Sequence, residues 1–134
     1  MLTSSGRLRI RAYTAGGALP VEGARVEIRG ASEGNSDVVF TSYTDLDGLS
    51  EEFNLPAPKI EYSLSPGSSE LPYSVYDLVI SKNGYFTKRI TGISVFSGVN
   101  SIQVVGMIPG SGEIAEDYPR GSINYIIPEN THLT

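Results

Sequence analysis

Residues 7–13 read Arg-Leu-Arg-Ile-Arg-Ala-Tyr, a strict period of two that suits a half-buried β-strand. Leu8, Ile10 and Ala12 take one face, and Arg7, Arg9 and Arg11 take the other. The period returns over 24–29, where Ala24, Val26 and Ile28 alternate with Arg25, Glu27 and Arg29. Further strands are expected over 38–44, at Leu49, Phe53 and Leu55, and over 73–82. Residues 85–90, followed by the apolar stretch 93–96, and then 99–108 close the set. No window of 11 residues carries a 3.6 period with caps. The series predicts an all-β chain: a seven-stranded, two-sheet Greek-key sandwich.

Turn chemistry separates these runs. The chain holds 15 Gly and 8 Pro in 134 residues, which suits many short connections. Asp45-Leu46-Asp47-Gly48 reads as a tight hairpin, since Asp and Gly tolerate positive φ. Asn83-Gly84 is the strongest two-residue hairpin signal. The proline-rich stretch 55–72 is not a linker. It carries Ile60, Tyr62 and Leu64 in alternation and leads straight into "YSVYDLVI". It reads as an ordered edge crossing, with prolines where no ladder partner is needed.

The sandwich domain is assigned to 6–108 and an extended tail or interdomain linker to 109–134. The tail opens on "PGSGEIAEDYPRG", too rich in Gly and Pro for a core strand. Ile123, Tyr125, Ile126 and Ile127 are too apolar for a purely solvated end. They are expected to dock, on their own domain or on a neighbour.

The net charge of −5 argues against nucleic acid, since no basic patch is expected to offset phosphate repulsion over a large surface. The absence of cysteine excludes disulfides, thiolate metal sites and cysteine nucleophiles. No apolar run approaches the roughly 18 residues of a membrane-spanning helix. The N-terminal "MLTSSGRLRIR" lacks the regions of a signal peptide.

The order "GRLRI", "PVEGARVEI", "TDLDGL", "LP" and "YDLVISKNGY" resembles the transthyretin-like, or carboxypeptidase-regulatory-like, sandwich, also seen in collagen-adhesin B-type repeats. A narrower resemblance rests on "LPAPKIEYSLSPGSSELPYSVYDLVISKNGYF", "ITGISVF" and a late "IIP" with "HL". These are similar to the N-terminal domain of clostridial spore-cortex-lytic enzymes of the SleC type, over nearly the whole chain from Gly6. The resemblance implies a pro- or accessory module of peptidoglycan hydrolysis, sited in the spore cortex or cell envelope. Its partner would be a peptidoglycan-hydrolase catalytic domain, or another copy of itself through the tail.

Catalytic constellations do not emerge. His132 is the single histidine and lies near a chain end, whereas a Ser-His-Asp triad needs a base held by a third group. It also sets the chain apart from the hydroxyisourate hydrolase relatives of transthyretin, which the resemblance brings in and which use several histidines. Asp77 and Glu61 show no sign of converging as a glycosidase pair; Asp77 reads as an acceptor of local hydrogen bonds. Asp45 and Asp47 are weak calcium candidates, short of the six or more oxygens such a site needs. The isopeptide cross-link of the collagen-adhesin relatives needs a lysine on the first strand, and the first lysine here is Lys59. No enzyme activity and no cofactor are expected.

Tyr62, Tyr73, Tyr76 and Tyr85 admit two readings: an aromatic platform for sugar rings, or packing at the core and rim, which strand alternation favours. Arg7, Arg9, Arg11, Arg25 and Arg29 read as one solvated outer face, with docking of an acidic partner as the alternative. The function expected is protein docking or regulation by a non-catalytic module. The alternative is a peptidoglycan-binding module that uses surface tyrosines.

Overall fold

The alternation becomes burial. In the computed structural model, which describes residues 3–31, 35–58, 73–116 and 122–126, Leu8, Ile10 and Ala12 are all buried on β1 (Thr3–Thr14). A one-residue slip of β1 would expose all three and bury arginines in their place, so the pattern dictates the register. Val26 and Ile28 do the same on β3 (Arg25–Gly30).

Two five-stranded sheets result. The first joins β1 to β2 (Leu19–Pro20), β5 (Phe53–Pro58), β8 (Val99–Gly106) and β10 (Ser122–Ile126). Its order is β10-β8-β1, with β5 along the first half of β1 and β2 at its far end. The second sheet runs β4 (Val39–Tyr43), β3, β6 (Tyr73–Ser81), β7 (Thr87–Phe96), β9 (Glu113–Glu116). One buried apolar cluster draws from both: Leu8, Ile10, Leu55 and Val105 from the first, Ile28, Leu78, Ile80 and Ile90 from the second. Each such side chain contributes about 1.5–3 kcal/mol by leaving water. The architecture is all-β and sandwich-like; among the described residues there is no α-helix, and a 3₁₀ turn spans Ala15–Gly17.

Several expectations are corrected in detail. Ten strands, not seven, occur among the described residues. Both sheets are mixed, because β1–β8 and β7–β9 are parallel pairs. Residues 87–90 and 93–96 form parts of one strand, since a bulge opposite Asp77 absorbs the break in alternation. Gly92 supplies the positive φ there and donates its N–H to Asp77 Oδ1 at 3.2 Å, so Asp77 does accept a backbone bond.

The Asp45–Gly48 turn joins no hairpin. Strand β4 before it pairs with β3 in the second sheet, and β5 after it pairs with β1 in the first. The turn carries the chain between sheets. Gly48 has φ +78°, and a Cβ on it would fall against the carbonyl oxygen of Ala12. Ala12 N in turn donates to Gly48 O at 2.8 Å, so the turn is seated on β1.

The tail also takes part in the sheets. Glu113–Glu116 extends the second sheet beside β7, and Ser122–Ile126 extends the first beside β8. The Gly and Pro residues around these strands do not prevent pairing, because an edge strand needs partners on one side alone. Within the proline-rich crossing, residues 55–58 belong to β5, an edge position that suits Pro56 and Pro58. The rest of that crossing, 59–72, lies outside the described residues.

Candidate functional site

The four tyrosines do not form one platform. Tyr76 is fully buried, at 0% exposure, and donates its hydroxyl to Pro56 O at 2.6 Å. Burial pushes its phenol pKa up, opposed by a hydrogen bond with Asn35. It is a core residue that ties the second sheet to β5 of the first. Tyr85 is partly buried against the same core. Tyr73 lies at the start of β6, its ring centroid 5.3 Å from that of Phe96, its register partner on β7. Tyr62 lies outside the described residues, as do Glu61 and His132.

The arginines separate as well. Arg7, Arg9 and Arg11 belong to β1 in the first sheet, and Arg25 and Arg29 to β3 in the second. The single face expected from alternation is two faces, because β1 and β3 lie in different sheets. Glu27 stands 3.6 Å from both Arg25 and Arg29, and Glu52 stands 3.6 Å from Arg7. The pairs are solvent-accessible, with Glu27 half-buried, and each is of small worth to stability.

Asp45 and Asp47 have a local explanation. Asp45 Oδ1 accepts the N–H of Asp47 at 2.9 Å and of Leu49 at 3.0 Å. That carboxylate oxygen is engaged by its own turn, in the manner of an Asx cap. No group of three or more His, Cys, Asp or Glu residues comes together among the described residues.

Of the apolar tail residues, Ile123, Tyr125 and Ile126 fall within β10, in register with Ile102, Asn100 and Val99 of β8. Ile127 lies outside the described residues. No helix among the described residues is long and apolar enough to cross a membrane.

What strand periodicity missed is the exposure of β4. Among the described residues it forms one edge of the second sheet, paired to β3 alone. Val39 is 43% exposed, Phe40 37% and Tyr43 61%, and Leu46 in the next turn is 72% exposed. Phe40 leans back on the core ring of Phe53, centroids 6.0 Å apart. Val39 and Tyr43 lie two positions either side of Thr41 and share the opposite face. A signal was present: "VVFTSY" puts apolar residues on both faces of one strand, whereas a half-buried strand needs them on one.

The other end of that sheet is different. Strand β9 is four residues long and bounded by Glu113 and Glu116, and short, charged edges discourage pairing. Among the described edges of the second sheet, β4 is the one with exposed apolar surface and an unpaired row of backbone groups.

No family model matches the chain, and no curated protein matches it. Among solved structures it is similar to the Bacillus anthracis TIE protein, with a TM-score of 0.52 and 18% identity over 79% of this chain. It is similar also to 3-chlorocatechol 1,2-dioxygenase from Rhodococcus opacus 1CP, at a TM-score of 0.44 and 10% identity over 84% of the chain. Catechol 1,2-dioxygenase from Pseudomonas arvilla C-1 gives a TM-score of 0.45 and 14% identity over 86%. The chain spans 17%, 61% and 52% of those three proteins, respectively. What it shares with the first is fold.

Proposed function

We propose that this chain is a non-catalytic docking module, a transthyretin-like Greek-key sandwich with added edge strands, that binds and regulates a peptidoglycan-hydrolase catalytic domain. The observation that carries the reading is the β4 edge, where Val39, Phe40 and Tyr43 are exposed on a strand that pairs on one side alone among the described residues. Such an edge takes up an extended segment by strand addition: backbone bonds give affinity and alternate side chains give selectivity. The resemblance of 55–86 to cortex-lytic precursors supplies the identity of the partner. The rival reading, a saccharide platform, loses ground because Tyr76 is enclosed in the core.

The test is a calorimetric titration of the chain against a recombinant spore-cortex-lytic catalytic domain. Saturable binding is expected, lost in Tyr43→Lys and Val39→Lys variants whose urea midpoints stay near that of the parent. Sedimentation of the chain with insoluble peptidoglycan, combined with no binding to the catalytic domain, would transfer the function to the carbohydrate-binding alternative.

A further inference from the structure

At one end of the second sheet, the β6–β7 turn and residues 108–112 run side by side. Three backbone hydrogen bonds join them: Phe86 N to Ile108 O at 2.8 Å, Thr87 N to Gly112 O at 2.9 Å and Gly110 N to Gly84 O at 3.0 Å. Gly110, at φ +147°, lies so close to Phe86 that a Cβ would collide with the ring. The two segments thus form one fixed wall, and between them and the start of β3 lies an open cleft of about 440 Å³.

Its chemistry is one-sided. The lining brings Arg25 and Lys82 together with the hydroxyls of Ser81 and Ser111, and none of its eleven residues is acidic. In a chain with 15 Asp and Glu against 10 Lys and Arg, that is a local reversal of sign. Arg25 shares Glu27 with Arg29, so part of its charge is met. Lys82 is different: no ion pair or hydrogen bond holds its ammonium among the described residues. Its Nζ sits over Gly23, where a Cβ would stand 3.1 Å away. The neighbouring carboxylate of Glu113 lies 3.5 Å from Arg89 and is not part of the lining.

Glycine completes the arrangement. Gly23, Gly84, Gly110 and Gly112 all line the cleft with positive φ, and with no side chains they leave the backbone open to close approach. Cations set beside bare, turn-shaped backbone are the usual means of holding an oxyanion. We propose that this cleft is a binding site for the carboxylate or phosphate group of a small molecule, with Lys82 as its principal charge contact and Arg25 as the second. The open cleft has room for more than a lone ion, so it accommodates an anionic group that is one end of a larger ligand. The site adjoins the end of the β4 edge, where Arg25 is the register partner of Tyr43, but it does not depend on the docking role.

The experiment is an amide-resolved NMR titration of the full chain, with inorganic phosphate and acetate as separate probes. Saturable shifts are expected at Gly84, Ser111 and Gly112 with at least one probe. Lys82→Met should weaken the response at least about tenfold, and Lys82→Arg should retain it, as loss of a charge-assisted bond predicts. Stronger response to phosphate assigns a phosphorylated ligand; stronger response to acetate assigns a carboxylic acid. The absence of saturable shifts with both probes overturns the proposal. So does an unchanged titration in a well-dispersed Lys82→Met spectrum.

Discussion

Two turns that both read as tight hairpins in the sequence do opposite things in this molecule. Asp45-Leu46-Asp47-Gly48 closes on itself: Asp45 Oδ1 caps two backbone amides, and Gly48 is seated on Ala12. Lys82-Asn83-Gly84-Tyr85 turns on the bond from Tyr85 N to Lys82 O at 3.0 Å, and the Lys82 ammonium stays unengaged among the described residues. The first passes the chain from one sheet to the other; the second is a true hairpin. Turn residues specify local chirality. Whether the flanking strands then pair with each other is decided by the rest of the sheet. A polar turn side chain is available to a ligand to the extent that its own backbone has not already taken it.

The largest contrast between the turns is expected when one methyl group is added to each. Gly48→Ala must place its Cβ against the Ala12 carbonyl at φ +78°, and should cost about 2–3 kcal/mol. Gly84→Ala has φ +88° but nothing within 4 Å, leaving the left-handed penalty of about 1 kcal/mol. Urea unfolding of the two variants measures the difference. Equal losses would show that Gly48 is not pinned to β1.

The next largest effect tests how the crossing is closed. Having passed between sheets, the chain is tied back where Tyr76 of β6 donates to Pro56 O of β5. Tyr76→Phe removes the donor and leaves a carbonyl unpaired, at about 1–2 kcal/mol. The pH dependence has a definite sign. Burial raises the Tyr76 pKa above its ordinary value of 10.0, so the unfolded chain loses this proton first. The contribution is therefore full below pH 10.0 and falls as pH rises from there through the folded value. Midpoints of the parent and of Tyr76→Phe should converge above that pH. A gap that widens instead would contradict the buried, neutral phenol.

Much of this fold is legible in the residues themselves. Alternation over 7–13 and 24–29 marks the buried faces of β1 and β3 directly, because period two admits one register with the apolar set inside. The Asn83-Gly84 hairpin is equally plain. The parallel pairing of β1 with β8 is not, since Ile10 and its register partner Gln103 lie most of the chain apart and carry no local signature. A contact at that range is decided by which edge of β1 is still open once β5 and β2 have taken the other. The candidate sites are less legible still. Tyr76 reads like its neighbours in sequence, and what separates it from a surface tyrosine is its place on the inward face beside Leu78 and Ile80. The β4 edge and the Lys82 cleft each depend on strands far apart in the chain.

A smaller effect is expected at the cap itself. Asp45→Ala frees the N–H groups of Asp47 and Leu49 to water, since both bonds are exposed, and should cost about 1 kcal/mol. Asp45→Asn keeps an acceptor oxygen at the same place and should recover most of that loss in the same urea measurement. If asparagine behaves like alanine, the carboxylate charge and not the cap geometry holds this turn.

The smallest effect is the most informative about the other turn. Lys82 has no partner among the described residues to lose, so Lys82→Met should move stability by less than about 0.5 kcal/mol, the range of surface changes away from caps and networks. That near-silence is what an unengaged turn residue predicts, in contrast to Asp45. Thermal or urea unfolding at low and moderate salt measures it. A clear stabilisation would mean that Lys82 is repelled by the nearby Arg25 until an anion arrives, and added phosphate should then close the gap between variant and parent by binding the parent alone. A loss comparable to that of Asp45→Ala would mean that Lys82 is already held by the fold. Its ammonium would then be no freer than the Asp45 carboxylate, and the contrast between the two turns would fail.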